Sequence, residues 1–208
     1  MKTKLLSVRN DIKNRFEDIQ IMIDTLDKNT TVCCQLVLKS SLMLMIYNVV
    51  EGTISNLLTE LFDTITKRNL TIDVLPNKLQ NTIYTYYLKK IGSDSKKLKE
   101  FSKYDNMKLC NISYLDINKY LKLFSGNLDA RTIKNISKKV GIDLPDIIDE
   151  PCLLTVKSTR NKLAHGEAKF SNACQDITLD EMKKVCKKVE EYLDKVICEY
   201  EHFLDRFY

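Results

Sequence analysis

The chain has 208 residues, of which 44% are hydrophobic and 29% are charged. A chain this apolar is not intrinsically disordered, and its length suits one sizeable domain. The net charge of +5 is compatible with a polyanionic partner but does not require one. Only five glycines and three prolines occur, which favours a few long helices over many short strands.

The seven cysteines form no recognisable metal or disulfide pattern. Their number is odd, no CxxC pair occurs, and only two histidines are available to complete a zinc site. No secretory signal follows the first residues, and the most apolar run, 42–50, is shorter than the roughly 20 residues of a membrane span. We therefore expect a cytoplasmic protein with reduced thiols, no metal, no cofactor and no membrane association.

Apolar residues at steps of three and four predict one helix that ends near Leu26 and a second from about Thr31 to Lys67. The centre of the second helix, residues 42–47, is apolar on every side. Such a helix is normally wrapped by other helices or lies in an oligomer interface.

The middle of the chain, about 69–125, is less regular. The pattern predicts a helix near 79–91, then a lysine-rich connection, and then a segment at 111–114 that is a short strand or a loop. Tyrosines cluster at 84, 86 and 87. Aromatic residues near lysines can stack on bases, but packing against the core is their commoner use.

Three further helices are predicted at 129–140, 151–165 and 178–203. Asp129 suits the N-cap of the first, and Thr178 with Glu181 has capping-box spacing at the start of the last. No internal repeat or interdomain linker is evident. We expect one domain over residues 1–208, with about 69–125 as a candidate insertion.

The segment 160–166, RNKLAHG, is the most informative stretch. On a helix, Arg160 falls within about 20° of Leu153, inside an apolar arc, where a guanidinium needs an anionic partner or some other reason for its position. His165 lies about 140° further round, in the last turn, near Asn161. A long arginine side chain can bend towards the helix end, so both groups could serve one pocket.

An arginine and a histidine form a minimal kit for cleaving RNA without a metal. Arg160 would clamp the phosphate through two hydrogen bonds, and His165 would take and give protons as the general acid–base. The same spacing also arises by chance, and a histidine before a glycine can simply end a helix. The spacing alone therefore leaves a structural interpretation open.

The segment 160–166 resembles the R-x4–6-H signature of HEPN domains, in which the residue after the arginine is often Asn, here Asn161. Three more segments resemble the MAE-type branch of that superfamily: YNVVE at 47–51, GNLDAR at 126–131 and GEAKF at 166–170. The resemblance runs from about Leu36 to the end of the chain and is weakest in the middle.

The resemblance implies an all-α, HEPN-type helical bundle with a less regular middle insertion. It also implies a homodimer with facing signature helices and a metal-independent endoribonuclease that leaves a cyclic phosphate. Its setting would be antiviral defence or a toxin–antitoxin system, with an antitoxin or other defence partner. Some HEPN proteins lack activity, so the alternative is a non-catalytic scaffold or RNA-binding module.

Four residues near the signature are candidates for supporting roles. Asn48 and Glu51 share one face of the second helix, where they could orient the signature side chains or make structural bonds. Lys157 and Lys162 flank the signature and could contact RNA phosphates or simply be solvated. Asn161 could orient the arginine, the histidine or the substrate.

Overall fold

The computed structural model describes residues 5–27, 31–92, 112–123, 126–145 and 150–207, and most of these residues are helical. These ranges contain seven α-helices and no strand. The expected all-α class is confirmed. The helices are α1 (Leu6–Asp27), α2 (Val32–Lys67), α3 (Asn77–Ile91), α4 (Tyr114–Leu121), α5 (Ala130–Lys139), α6 (Glu150–Ala164) and α7 (Leu179–Asp205), with a 3-10 turn at Ile72–Val74.

Helix α2 is the central rod of the bundle, because α1, α4, α6 and α7 all pack against it. Its second half is enclosed, and Ile54, Leu57 and Phe62 are fully buried. Its first turns are open, with Val32 74% exposed. At the apolar centre, 42–47, four of the six residues are buried and the other two are half-buried, which agrees with wrapping by other helices, one of the two predicted alternatives.

The apolar part of α2 is longer than the run at 42–50 suggested. By length and composition alone this helix could cross a membrane, since its most apolar 18-residue window has a mean hydropathy of 1.5. The core helix of a soluble protein passes the same test, and 33% of that window is buried by the rest of the bundle. The sequence estimate was too short because Lys39 and Ser40 interrupt the run without lowering its average much.

Helices α1 and α7 pack on α2 through the predicted apolar stripes. On α1 the buried residues Val8, Ile12 and Ile19 follow the expected spacing. On α7 the capping box is formed, since the Thr178 hydroxyl accepts from the Glu181 amide and the Glu181 carboxylate accepts from the Thr178 amide. These helices are thus built from local signals that the sequence displays.

The middle of the chain holds one predicted helix and one that the sequence analysis missed. Helix α3 lies where it was expected, whereas the segment expected to be a strand or loop leads into α4. Ser113 caps α4 by accepting from the Asp116 amide, and eight residues are too few to display a clear period. Residue 111 and the lysine-rich connection lie outside the described residues.

The tyrosine cluster packs α3 against α4. Tyr86 is buried, and its ring meets Tyr120 edge-to-face at a centroid distance of 5.6 Å. Tyr84 and Tyr87 pack at the border of the same core. The structure therefore supports core packing rather than base stacking as the use of these rings.

The described cysteines are all free thiols, as expected, whereas Cys110 lies outside the described residues. Cys152 and Cys186 are buried between α6 and α7, and burial raises the pKa of Cys186 to about 12. Such a thiol stays protonated and unreactive at physiological pH.

Candidate active site

Helix α6 carries the signature and has one buried side and one exposed side. Leu153, Val156 and Leu163 face the core, whereas Leu154 and Lys162 face outward. The buried side packs on α2, which fixes the rotation of α6 about its axis. Every signature side chain therefore leaves the helix in a defined direction.

Arg160 is half-buried at the edge of this buried side. Its guanidinium carbon lies 4.7 Å from the centroid of the Tyr47 ring, at a distance where a cation is attracted to the aromatic face. Its Nη1 donates to the side-chain oxygen of Asn161 at 2.9 Å. The partner that the apolar position of Arg160 demanded is thus an aromatic face together with a neighbouring amide.

Gly126 lies near both the guanidinium of Arg160 and the carboxylate of Glu51. A Cβ atom at Gly126 would stand 3.4 Å from Nη2 of Arg160 and 3.6 Å from Oε1 of Glu51. Gly126 also has a φ of +75°, a conformation that favours glycine. Glu51 therefore borders Arg160, whereas Asn48 is exposed and makes no hydrogen bond to this cluster within the described residues.

The ring of Tyr47 packs against Arg160, and its hydroxyl ties the segment 126–129 to α2. Its buried hydroxyl accepts a hydrogen bond from the Leu128 amide at 3.2 Å. Burial is the main cause that raises the pKa of Tyr47, and the charge of Glu51 acts in the same direction. The ring is therefore neutral at physiological pH and presents an electron-rich face to the guanidinium.

The segment 126–129 runs beside α6 and is bonded to it twice. Asn161 donates from Nδ2 to Oδ1 of Asn127 at 2.8 Å. Lys157 donates to Asp129 at 2.5 Å, and Asp129 also caps α5. Burial alone would raise the pKa of Asp129, but the bonds from Lys157 and Thr132 outweigh it and lower that pKa.

His165 is exposed directly after the last turn of α6. Its amide donates to the Asn161 carbonyl at 2.9 Å, which continues the helical pattern. Gly166, with a φ of +71°, then ends the helix, and the Ala168 amide returns to the carbonyl of Lys162. Within the described residues the imidazole makes no hydrogen bond or ion pair.

The segment that follows the signature is fastened to the first half of α2. The Ser40 hydroxyl donates to the carbonyl of Phe170 at 2.6 Å, and the Lys39 ammonium donates to the carbonyl of Ile177 at 2.5 Å. The chain on either side of His165 is therefore anchored, although the imidazole itself is not.

The structure brings some of the predicted residues together and leaves others apart. Arg160, Asn161 and Glu51 form one cluster. Lys157 is occupied by an ion pair with Asp129, and His165 lies at the helix end on the outward side. No role was predicted for Tyr47 or Asn127 from the sequence. Both lie in segments that resemble the MAE-type branch, YNVVE and GNLDAR.

The fold and the signature define a HEPN-class protein: a helical bundle in which a long apolar helix supports an arginine that precedes a helix-end histidine by five residues. The model of the MAE_28990/-like HEPN family matches residues 4–208, so the chain belongs to this family. HEPN domains are typically related to RNases, and they commonly bind RNA and dimerise. Neither a curated protein nor a solved structure matches the chain.

Proposed function

We propose that this protein is a metal-independent endoribonuclease that acts as a homodimer. The observation that carries the proposal is the oriented guanidinium of Arg160 close to a helix end that exposes His165. A guanidinium has five N–H groups, and the bond from Nη1 to Asn161 uses one of them. The other four N–H groups make no hydrogen bond within the described residues, so they are available to bind a phosphate.

The proposed reaction is attack by a ribose 2′-hydroxyl on the neighbouring phosphorus. An imidazole takes the 2′-hydroxyl proton as the new O–P bond forms. The bond from phosphorus to the 5′-oxygen breaks, and an imidazolium gives that oxygen a proton. The products are a 2′,3′-cyclic phosphate and a 5′-hydroxyl. Arg160 stabilises the charge that develops on the non-bridging oxygens.

A second copy of the chain is part of the proposal because Arg160 and His165 leave α6 on different sides. The outward side of α6 presents Leu154, which is 53% exposed, together with Ser158, Lys162 and His165. Pairing this side with the same side of a second copy would bury an exposed leucine and supply a second imidazole. One imidazole could then act as base while the other acts as acid.

The surrounding residues have distinct proposed roles. Asn161 holds the plane of the guanidinium, and Glu51 balances its charge. Lys162, which is exposed, contacts the RNA backbone. Lys157 is engaged with Asp129, so we assign it a structural role rather than a contact with RNA.

The setting that we propose is cytoplasmic antiviral defence or a toxin–antitoxin system, and it rests on the family alone. A toxin of this kind should arrest the growth of a host cell when it is expressed. His165→Ala should abolish the arrest, and a cognate antitoxin partner should relieve it. Equal growth inhibition by the wild-type chain and by His165→Ala would contradict this role.

The activity is tested by incubating the purified full chain with end-labelled RNA in EDTA. Arg160→Ala and His165→Ala should each slow cleavage at least about 100-fold. Arg206→Ala and His202→Ala are matched controls, since both residues are exposed near the end of α7. They should cleave like the wild type and leave the same cyclic phosphate.

Three results would overturn the nuclease proposal. One is equal cleavage by all five proteins, and another is cleavage that requires magnesium. The third is RNA binding without any cleavage by the wild type, which would favour the non-catalytic RNA-binding alternative.

A further inference from the structure

Asn127 occupies a defined position at the edge of the Arg160 cluster. It is exposed, and its side chain is joined to Arg160 through Asn161. Neither the apolar period nor the signature motif explains an amide at this position. The directions of the two hydrogen bonds that link Arg160, Asn161 and Asn127 show which atoms of the Asn127 amide can donate to a ligand.

The arginine sets the direction of both bonds. A guanidinium can only donate, so the oxygen of the Asn161 amide must face Arg160. The nitrogen of that amide must then face Asn127 and donate, at 2.8 Å, to its oxygen. Side-chain amides are assigned by such networks, and here the network allows only one arrangement. The NH2 group of Asn127 therefore faces away from Asn161.

This NH2 group belongs to a side chain at the surface. Asn127 is exposed, and within the described residues its amide nitrogen has no acceptor. The oxygen of Asn127 already accepts one bond from Asn161, whereas its two N–H donors have no acceptor within the described residues. Two such donors suit a ligand that only accepts, such as a phosphate oxygen.

The backbone on both sides of Asn127 is held in place. Gly126 lies near Arg160 and Glu51, and the Leu128 amide is bonded to the buried hydroxyl of Tyr47. A donor held in this way requires little reordering when a ligand binds, which favours tight and well-oriented contact.

We propose that Asn127 is a substrate-positioning residue whose NH2 group donates to a phosphate oxygen of the RNA backbone beside Arg160. This inference rests on the proposed ribonuclease function. Asp129, the nearest carboxylate along the segment, is neutralised by Lys157, so it does not repel a phosphate at this place.

The test compares Asn127→Asp with Asn127→Ala in the full chain. Aspartate keeps the shape and the acceptor for Asn161 but replaces the NH2 donor by an oxygen. We expect both variants to bind a non-cleavable 2′-O-methyl RNA at least about tenfold more weakly, with unchanged thermal stability for the aspartate. Asn135→Asp makes the same charge change at an exposed position on α5 and should bind like the wild type.

A second measurement separates direct contact from a general effect of charge. A single methylphosphonate, which removes one charged oxygen, is moved along the RNA one linkage at a time. If Asn127 contacts a phosphate, the loss caused by Asn127→Ala should disappear at one linkage beside the cleavage site and persist at the others.

Failure of the inference about Asn127 can be told apart from failure of the proposed ribonuclease function. If the wild type cleaves RNA while Asn127→Asp binds and cleaves equally well, Asn127 only anchors Asn161 and the inference is wrong. An unchanged loss at every methylphosphonate position would also overturn it. If Arg160→Ala and His165→Ala leave cleavage intact, the proposed function itself fails.

Discussion

The two sides of α6 treat the two signature residues differently. On the inner side, Arg160 is held by the Tyr47 ring and by Asn161, and Gly126 lies close to it. On the outer side, His165 is exposed and unbonded within the described part of the chain. A single chain therefore determines where the guanidinium points, whereas its own contacts leave the orientation of the imidazole open.

Truncation of two adjacent leucines, one buried and one exposed, tests how differently the two sides of α6 contribute to stability. Leu153→Ala empties a buried position and should lower the free energy of unfolding by about 2–5 kcal/mol. Leu154→Ala, at a position that is 53% exposed, should change it by less than about 0.5 kcal/mol. Urea denaturation at low protein concentration measures both. Similar losses in both variants would mean that the outer side is also buried in the free protein.

Tyr47→Phe removes the hydroxyl but keeps the ring below Arg160. The buried Leu128 amide would lose its acceptor, which should lower the free energy of unfolding by about 1–3 kcal/mol. Because the 126–129 segment would also loosen, cleavage of RNA should fall together with stability. Tyr120→Phe is the matched control, since its ring packs on Tyr86, and it should have a smaller effect. A fully stable Tyr47→Phe would show that the hydroxyl does not hold this segment.

Asp129→Asn tests the second tie between this segment and α6. The pKa of Asp129 is lowered in the folded protein, so its stabilising effect is fully present above the ordinary carboxyl pKa of about 3.9 and is lost as the pH falls through the folded value. The variant should be about 1–2 kcal/mol less stable than the wild type at pH 7. The difference should shrink as the pH falls from about 5 towards 2.

Urea denaturation across this pH range measures the effect. Asp143→Asn removes the carboxylate of an exposed ion pair with Lys78 and should change stability little at any pH. A pH-independent loss in Asp129→Asn would point to the cap of α5, rather than to the ion pair with Lys157, as the source of stability.

The smallest expected effect distinguishes the signature residues themselves. Arg160→Ala removes the cation–π contact and should lower the free energy of unfolding by about 0.5–1 kcal/mol. His165→Ala should leave it unchanged, although both variants should lose RNA cleavage. Thermal melting in one buffer compares them. A clear loss of stability in His165→Ala would mean that the imidazole has a structural partner.

Most of the fold could be predicted because its helices carry local signals. The spacing of apolar residues predicted α1 and α2, and the caps at Asp129 and Thr178 predicted where α5 and α7 begin. Helix α4 was missed because it is short and its stability comes from packing on α3 and α2. Helix length and propensity are weak signals when tertiary contacts decide.

The candidate site was predictable in its motif but not in its contacts. The 3.6-residue period correctly placed Arg160 among apolar residues, and Glu51 does lie beside it. The period could not identify Tyr47 as the surface below the guanidinium, because that contact joins residues more than a hundred positions apart. The position of Lys157 beside the signature left a phosphate contact or solvation open, and could not show its ion pair with Asp129, the N-cap of α5.

Helix α2 sets the distance between the two parts of the site. Ser40, which fastens the segment after His165, and Tyr47, which supports Arg160, are seven residues apart, or about two turns and 10.5 Å. They therefore emerge on nearly the same side of one rigid rod. A single inserted residue between them would rotate one anchor about 100° relative to the other, so this interval should tolerate substitution far better than any change in length.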